Sequence, residues 1–290
     1  MNFSDLDVYL KLIEYFFRNN LKKLYIIFST FLFSPRLFFL EARRRIFGKN
    51  YKFKGFNVIS WKEFNFLYQF FVLKKNKRYE IQKYNNEYIL HDKKTNLKIF
   101  SQTFSDFLLI CEEKSLDLDE YKLKKDEIEN KKVLDVGGYI DTPIAFAKFG
   151  AKKVVTYEPI YYKLLLKNLK LNKIKNVIIK PYYIYSFECE ELKKWLKDKK
   201  LKKLKRKIVS WKKVLKENFD LAKVDCEGCE EGLLYVDNDL LRKIPVWIME
   251  IHGNKLRKKI IEKFRNAGFR ERVVCVPNQK VSIYRFEKIS

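Results

Sequence analysis

The sequence predicts an α/β fold with a doubly wound, mostly parallel sheet over residues 76–290, preceded by a helical, aromatic and basic N-terminal extension over residues 1–75. Three observations carry this expectation. Short β-rich runs alternate with helical stretches through the second half of the chain, the pattern of strands joined by crossover helices. Residues 133–159, VLDVGGYIDTPIAFAKFGAKKVVTYEP, make one complete strand, glycine turn, helix and strand. Polar residues stand where strands end: Glu158, Asp225 and His252. Such sheets bind ligands at that carboxyl edge.

Residues 1 to about 50 are apolar, aromatic and basic. The run Leu24–Leu40 is 17 residues long, is broken by Pro35-Arg36, and lies between Lys22-Lys23 and Arg43-Arg44-Arg45. It is marginal for a membrane span. It is better suited to lie in the interface with its bases over anionic lipid, so residues 22–45 are a candidate contact with an anionic membrane surface. Packing on the protein's own core is the alternative. Residues 79–90, YEIQKYNNEYIL, predict a hairpin turning at Asn85-Asn86. Phe104–Glu113 reads as helix and Tyr121–Lys132 as a charged helix or loop.

In the central unit, Val133–Val136 is an apolar run suited to a buried parallel strand. Gly137-Gly138 allow a sharp turn and a close backbone approach. Thr142 before Pro143 reads as an N-cap followed by proline at the first helical position. Gly150 is placed to stop that helix, and Lys153–Tyr157 follows as the second strand. Beyond Glu158 come a helix at Tyr161–Leu171 and strands at Asn176–Lys180, Leu221–Asp225 and Val246–Ile251. A helix at Ile260–Ala267 ends at Gly268, and a hairpin at Val273–Phe286 turns around Pro277-Asn278.

The 290 residues include 62 basic and 36 acidic ones, a net charge of +26, and 47% are hydrophobic. A sizeable core is therefore available. The charge attracts anions without choosing among nucleic acid, acidic glycans and lipid headgroups. Lys193–Lys216 concentrates it, with 13 Lys/Arg against Asp198 alone. Leu192, Leu196, Leu204 and Ile208 can share one helical face there, which favours a solvated helix over a docking surface for acidic partners. Five scattered cysteines read as reduced thiols, and MNFSDLD is unlike a secretory signal. A cytoplasmic location, or a peripheral one on a membrane, is expected.

Two cofactor classes fit a strand–glycine–helix unit with an acid closing the next strand. A dinucleotide wants three spaced glycines and seats its pyrophosphate on the helix N-terminus. Here Gly137 and Gly138 are followed by Tyr139 and Asp141, and an acid at 141 repels a pyrophosphate. S-adenosyl-L-methionine carries a positive sulfonium and amino group, so acids at 135 and 141 are tolerable or helpful. Glu158 would accept hydrogen bonds from ribose hydroxyls in either class. Asp225, Glu227 and His252 follow strands and should project at the same edge. An imidazole of ordinary pKa, about 6.5, suits a general base. No metal is assigned: Cys226-x-x-Cys229 lacks the second pair a structural zinc wants, and a magnesium site from Asp225, Glu227 and Glu250 is the weaker alternative.

VLDVGGYIDT, GAKKVVTYEP, FDLAKVDCEGCE and IMEIHG resemble, in order and spacing, the motifs of the FkbM family of S-adenosylmethionine-dependent methyltransferases. The match covers about residues 130–270. The resemblance implies a Rossmann-like sheet of the class I methyltransferase type. It places Asp135, Gly137 and Glu158 at the cofactor, and Asp225, Glu227 and His252 at the reacting centre. Tyr139 stands where the family tends to have Asn, and Asp141 where it tends to have Gly. The expected activity is O-methylation of a hydroxyl on a glycan, glycolipid or related small molecule. Nucleic-acid methylation and a catalytically degenerate binding protein are the alternatives. The oligomeric state is unassigned.

Overall fold

The computed structural model describes residues 35–47, 51–53, 56–58, 77–84, 87–101, 104–185, 208–278 and 281–289. The chain divides into two compact units, residues 1–81 with 102–108 and residues 82–101 with 109–290.

In the first unit, helix α1 (Pro35–Phe47) begins at the proline that breaks the apolar run. Leu37, Phe38 and Ala42 are buried, and Arg44 pairs with Glu41 at 2.7 Å. Strands β1 (Tyr51–Phe53) and β2 (Phe56–Val58) form a small antiparallel pair. Residues 22–34 of the proposed membrane contact lie outside the described residues, and among the described ones no helix is long and apolar enough to cross a membrane.

Strands β3 (Tyr79–Tyr84) and β4 (Glu87–Asp92) flank Asn85-Asn86, which lie outside the described residues. Strand β5 (Leu97–Ser101), not foreseen, pairs with β4, and α2 (Phe104–Glu113) is helical as expected. Tyr121–Lys132 forms turns with one short 3-10 turn at Lys125–Glu127. There follow β6 (Lys132–Val136), α3 (Thr142–Lys148), β7 (Lys153–Tyr157), α4 (Tyr162–Leu171), β8 (Val177–Lys180), β9 (Tyr183–Tyr185), β10 (Ile208–Ser210) and α5 (Trp211–Val214). The chain continues through β11 (Leu221–Val224), α6 (Asn238–Leu241), β12 (Val246–His252), α7 (Asn254–Asn266), β13 (Phe269–Asn278) and β14 (Val281–Lys288).

The main sheet has seven strands in the order β13-β14-β12-β11-β6-β7-β8. Neighbours from β8 to β12 are parallel, and β14 runs antiparallel to both β12 and β13. This is a doubly wound, Rossmann-like architecture. Its inner strands are short apolar runs: β11 is buried at all four positions and β6 at all but the first, as a parallel sheet covered on both faces requires. Trp247 of β12 packs edge-on to Phe264 of α7, ring centroids 5.5 Å apart, and lies 6.3 Å from Trp211. The strand order reverses between β6 and β11. That crevice is where such sheets hold ligands.

Several local expectations shift. The N-cap of α3 is Asp141, not Thr142. The Thr142 hydroxyl instead turns inward, donating to Asp135 and to the Gly138 carbonyl at 3.1 and 3.0 Å. Ile208 lies in strand β10, paired in parallel with β9, rather than on a helix; residues 192–207 lie outside the described ones. Helix α7 begins at Asn254, and the last hairpin pairs Asn278 with Val281, so Pro277-Asn278 end a strand and do not form the turn. Cys226 and Cys229 are not free thiols. The corner after β11 brings their Cα atoms to 5.6 Å and they form a disulfide, within the usual range for that bond.

Candidate active site

The carboxyl ends of β6, β7, β11 and β12 border a cavity of about 530 Å³, lined among others by Gly137, Tyr139, Asp141, Glu158, Asp225 and Glu227. Six of the nine residues singled out in the sequence therefore meet there. Asp135, Gly138 and His252 stand directly behind its wall.

Glycine is required at both loop positions for different reasons. Gly137 has φ 76°, and a Cβ on it would lie 1.6 Å from the Asp225 carbonyl oxygen. A Cβ on Gly138 would meet the Thr156 hydroxyl at 2.2 Å and Asp135 at 2.6 Å. Gly138 thus packs the loop onto the strands without facing the cavity. Tyr139 adopts φ 47°, a region costly for a bulky side chain. Its ring meets Tyr161 edge-on at 4.7 Å.

Asp135 is fully buried and anchors the loop from behind. Its Oδ1 lies 3.4 Å from Lys223 Nζ, which donates to the Gly137 carbonyl at 2.7 Å and stands 3.6 Å from Asp225 Oδ2. Tyr121 donates to the same Asp225 oxygen at 2.9 Å. Burial alone would lower the Lys223 pKa, but Asp135 and Asp225 outweigh it and hold the ammonium above its ordinary value. Lys223 had a sequence signal, a cation inside an apolar strand, and buried cations require partners. Fully buried Asn168 of α4 secures the loop from the other side, donating to the Phe100 and Ile140 carbonyls at 3.1 and 3.2 Å.

Glu158 accepts the Tyr139 N–H at 3.0 Å on one oxygen and the Ile160 and Tyr161 N–H groups at 2.7 and 2.8 Å on the other. It ties the glycine loop to the turn that leads into α4. A carboxylate offers about four acceptor sites, so one remains for a ligand in the cavity.

Asp141 accepts the Thr142 N–H at 2.9 Å and the Ser115 hydroxyl. Burial pushes its pKa from 3.8 to about 6. Because the folded value lies above the unfolded one, the native state binds the proton more tightly, and its stability falls as pH rises from about 4 through 6. Asp141→Asn keeps a good N-cap and is expected to stabilise the protein by on the order of 2 kcal/mol at pH 7.5. Little gain is expected at pH 4. Urea unfolding at both values measures this, and an equal effect at both would refute the assignment.

Glu113, which also lines the cavity, and Glu120 are raised to about 9 and about 8, first by burial and then by neighbouring acids. His252 departs from the free imidazole envisaged for a general base. Its Nδ1 lies 3.0 Å from Glu230 Oε1, and its Nε2 lies 3.1 Å from Glu250 and 3.3 Å from Glu227. The Glu230 and Glu250 hydrogen bonds outweigh burial and push the ring up to about 11. With the ring already protonated, His252 can donate but not accept a proton at neutral pH. Glu230, fully buried, was not singled out in the sequence; its acid sits on a 3-10 turn whose placement behind β12 no local pattern announces.

No protein-family model and no curated protein matches the chain. Solved structures similar to it include a precorrin-6y C5,15-methyltransferase from Geobacter metallireducens, 16% identical, with 61% of this chain and 89% of that one covered at a TM-score of 0.39. A ribosomal protein L11 methylase from Lactobacillus delbrueckii is also 16% identical, covering 60% and 76% at 0.39. A magnesium protoporphyrin IX methyltransferase from Synechocystis, with bound S-adenosylhomocysteine, is 10% identical, covering 64% and 86% at 0.42. Likeness at this level carries no chemistry, which has to come from the cavity's own residues.

Proposed function

We propose that the protein is an S-adenosylmethionine-dependent O-methyltransferase of FkbM type, acting on a hydroxyl of a glycan, glycolipid or related small molecule. The observation that carries the donor assignment is Asp141. The protein's own carboxylate occupies the N-terminus of α3, accepting its first N–H, so the place where a pyrophosphate would sit already holds an anion. A cation-bearing cofactor fits there. When bound, S-adenosylmethionine supplies an electrophilic methyl group on a positively charged sulfur. Glu158 has an acceptor site left for ribose hydroxyls, and Asp141 faces the cavity for a cationic group. Asp225 and Glu227 line the same cavity and would accept a hydroxyl's hydrogen bond and take its proton. His252 holds Glu250 through Nε2 and stands 3.3 Å from Glu227. Much of the rate would come from positioning. Residues 22–45 are the proposed contact with an anionic membrane, which would bring a lipid-linked acceptor to the site.

Isothermal calorimetry with S-adenosylmethionine is expected to show one site per chain. Glu158→Ala should weaken binding by about 10- to 100-fold, the worth of a hydrogen bond to a charged group. No heat at millimolar ligand would end the proposal. So would an unchanged affinity in the variant.

A further inference from the structure

Glu227, Glu250 and His252 converge beside the cavity, each offering one donor atom, all within 4.8 Å of one another. Nε2 of His252 stands 3.1 Å from Glu250 Oε1 and 3.3 Å from Glu227 Oε2. Neighbouring ligands of a six-coordinate ion at about 2.1 Å lie roughly 3 Å apart, so these two spacings suit each carboxylate as a neighbour of the ring nitrogen on one cation. The set is more than a pair of acids, because it includes an imidazole nitrogen aimed from behind by a fourth residue.

That fourth residue is Glu230. It is fully buried. Its Oε1 takes the His252 backbone N–H at 3.2 Å and lies 3.0 Å from Nδ1, while its Oε2 accepts the Gly228 N–H at 2.9 Å. A carboxylate on the far nitrogen is how proteins orient a metal-binding histidine and make it a better donor. Nothing in the proposed seat for the methyl donor calls for this arrangement. Glu250 is only 13% exposed at its side chain, and three carboxylates around a single imidazolium leave an excess of negative charge that a divalent cation would offset.

We propose that the carboxylates of Glu227 and Glu250 and Nε2 of His252, which would release its proton as the ion binds, form a site for a divalent transition-metal cation such as Mn²⁺ or Zn²⁺. The mixed nitrogen and oxygen set favours these ions over Mg²⁺ or Ca²⁺, which prefer oxygen throughout. Three protein ligands leave coordination positions open on the cavity side. A hydroxyl bound there gives up its proton more readily, and Asp225, which lines the same cavity, is available to take it. This use of the ion rests on the methyl-transfer reading, whereas the site itself does not.

The test is a titration of the full chain with Mn²⁺, without methyl donor, followed by loss of the free-ion EPR signal, with thermal melting in Mn²⁺ and Zn²⁺ alongside. One bound ion per chain and a raised melting temperature are expected. His252→Ala and Glu250→Gln should abolish binding, and Glu230→Gln, which acts only through the ring, should weaken it by about 10- to 100-fold. Glu250→Gln preserves side-chain volume, so the result does not depend on His252→Ala remaining folded. No binding at millimolar Mn²⁺ and Zn²⁺, or binding unchanged in Glu250→Gln, overturns the site. S-adenosylmethionine binding without metal binding defeats this inference alone. Metal binding without S-adenosylmethionine binding upholds the site and defeats the methyl-transfer reading.

Discussion

Gly137→Ala is expected to cost the second unit a large share of its stability and to abolish binding of the proposed methyl donor. The added Cβ would sit 1.6 Å from the Asp225 carbonyl oxygen and 2.7 Å from its carbon. Both are backbone atoms at the end of a strand hydrogen-bonded on either side, so no side chain can swing away to make room. Overpacking of this kind costs about 1–3 kcal/mol or more, and a Cβ in the left-handed region at φ 76° adds about 1–2. The sum is a large share of the roughly 5–15 kcal/mol that holds a domain together. Denaturant unfolding measures the loss, and calorimetry with S-adenosylmethionine reads the binding. A variant that unfolds at the wild-type midpoint would show that β6 and β11 do not approach as described.

Lys223→Met should be nearly as damaging. Lys223 is 1% exposed and lies between Asp135, which is fully buried, and Asp225. Removing one partner of a buried pair leaves an uncompensated charge and costs about 3–5 kcal/mol. Burial already raises the Asp135 pKa above its ordinary value, Lys223 being the main opposing influence. Without the ammonium that carboxyl shifts further toward its neutral form, and a raised folded pKa makes the penalty grow as pH rises. The variant should therefore be more impaired at pH 8 than at pH 5. Lys223→Met combined with Asp135→Asn should recover more than half of the loss, because the stranded charge is gone. Urea midpoints at the two pH values test both points. A double variant no better than the single one would locate the damage in packing instead of charge.

The parallel strands were legible because each is a short apolar run between polar boundaries. β7 matches its expected limits, and β6, β8, β11 and β12 differ from theirs by a single residue at an end. Glycine pairs and strand-end acids mark the carboxyl edge through purely local chemistry. β5, β9 and β10 pair outside the seven-stranded sheet, so the strand–helix alternation that marks β6 to β12 does not extend to them. Ile208 was placed on a helix because leucine spacing says nothing about a partner strand elsewhere in the chain. The cap of α3 moved by one residue because Asp141 and Thr142 are both good caps, and Asp135 settles the matter by engaging the threonine hydroxyl.

The glycine loop is where the two kinds of information divide. Residue type alone determined that a tight turn joins β6 to α3, that Asp141 disfavours a phosphate, and that Glu158, Asp225, Glu227 and His252 end their strands at a common edge. Only tertiary structure decided what those acids and bases do, because protonation and orientation depend on neighbours remote in the chain. Asp135 became the loop's anchor through Lys223, 88 residues away by number. His252 became a protonated donor, and a prospective metal ligand, through Glu230 and Glu250. Side-chain identity specifies which chemistry is available, and burial beside particular partners selects which of it is used.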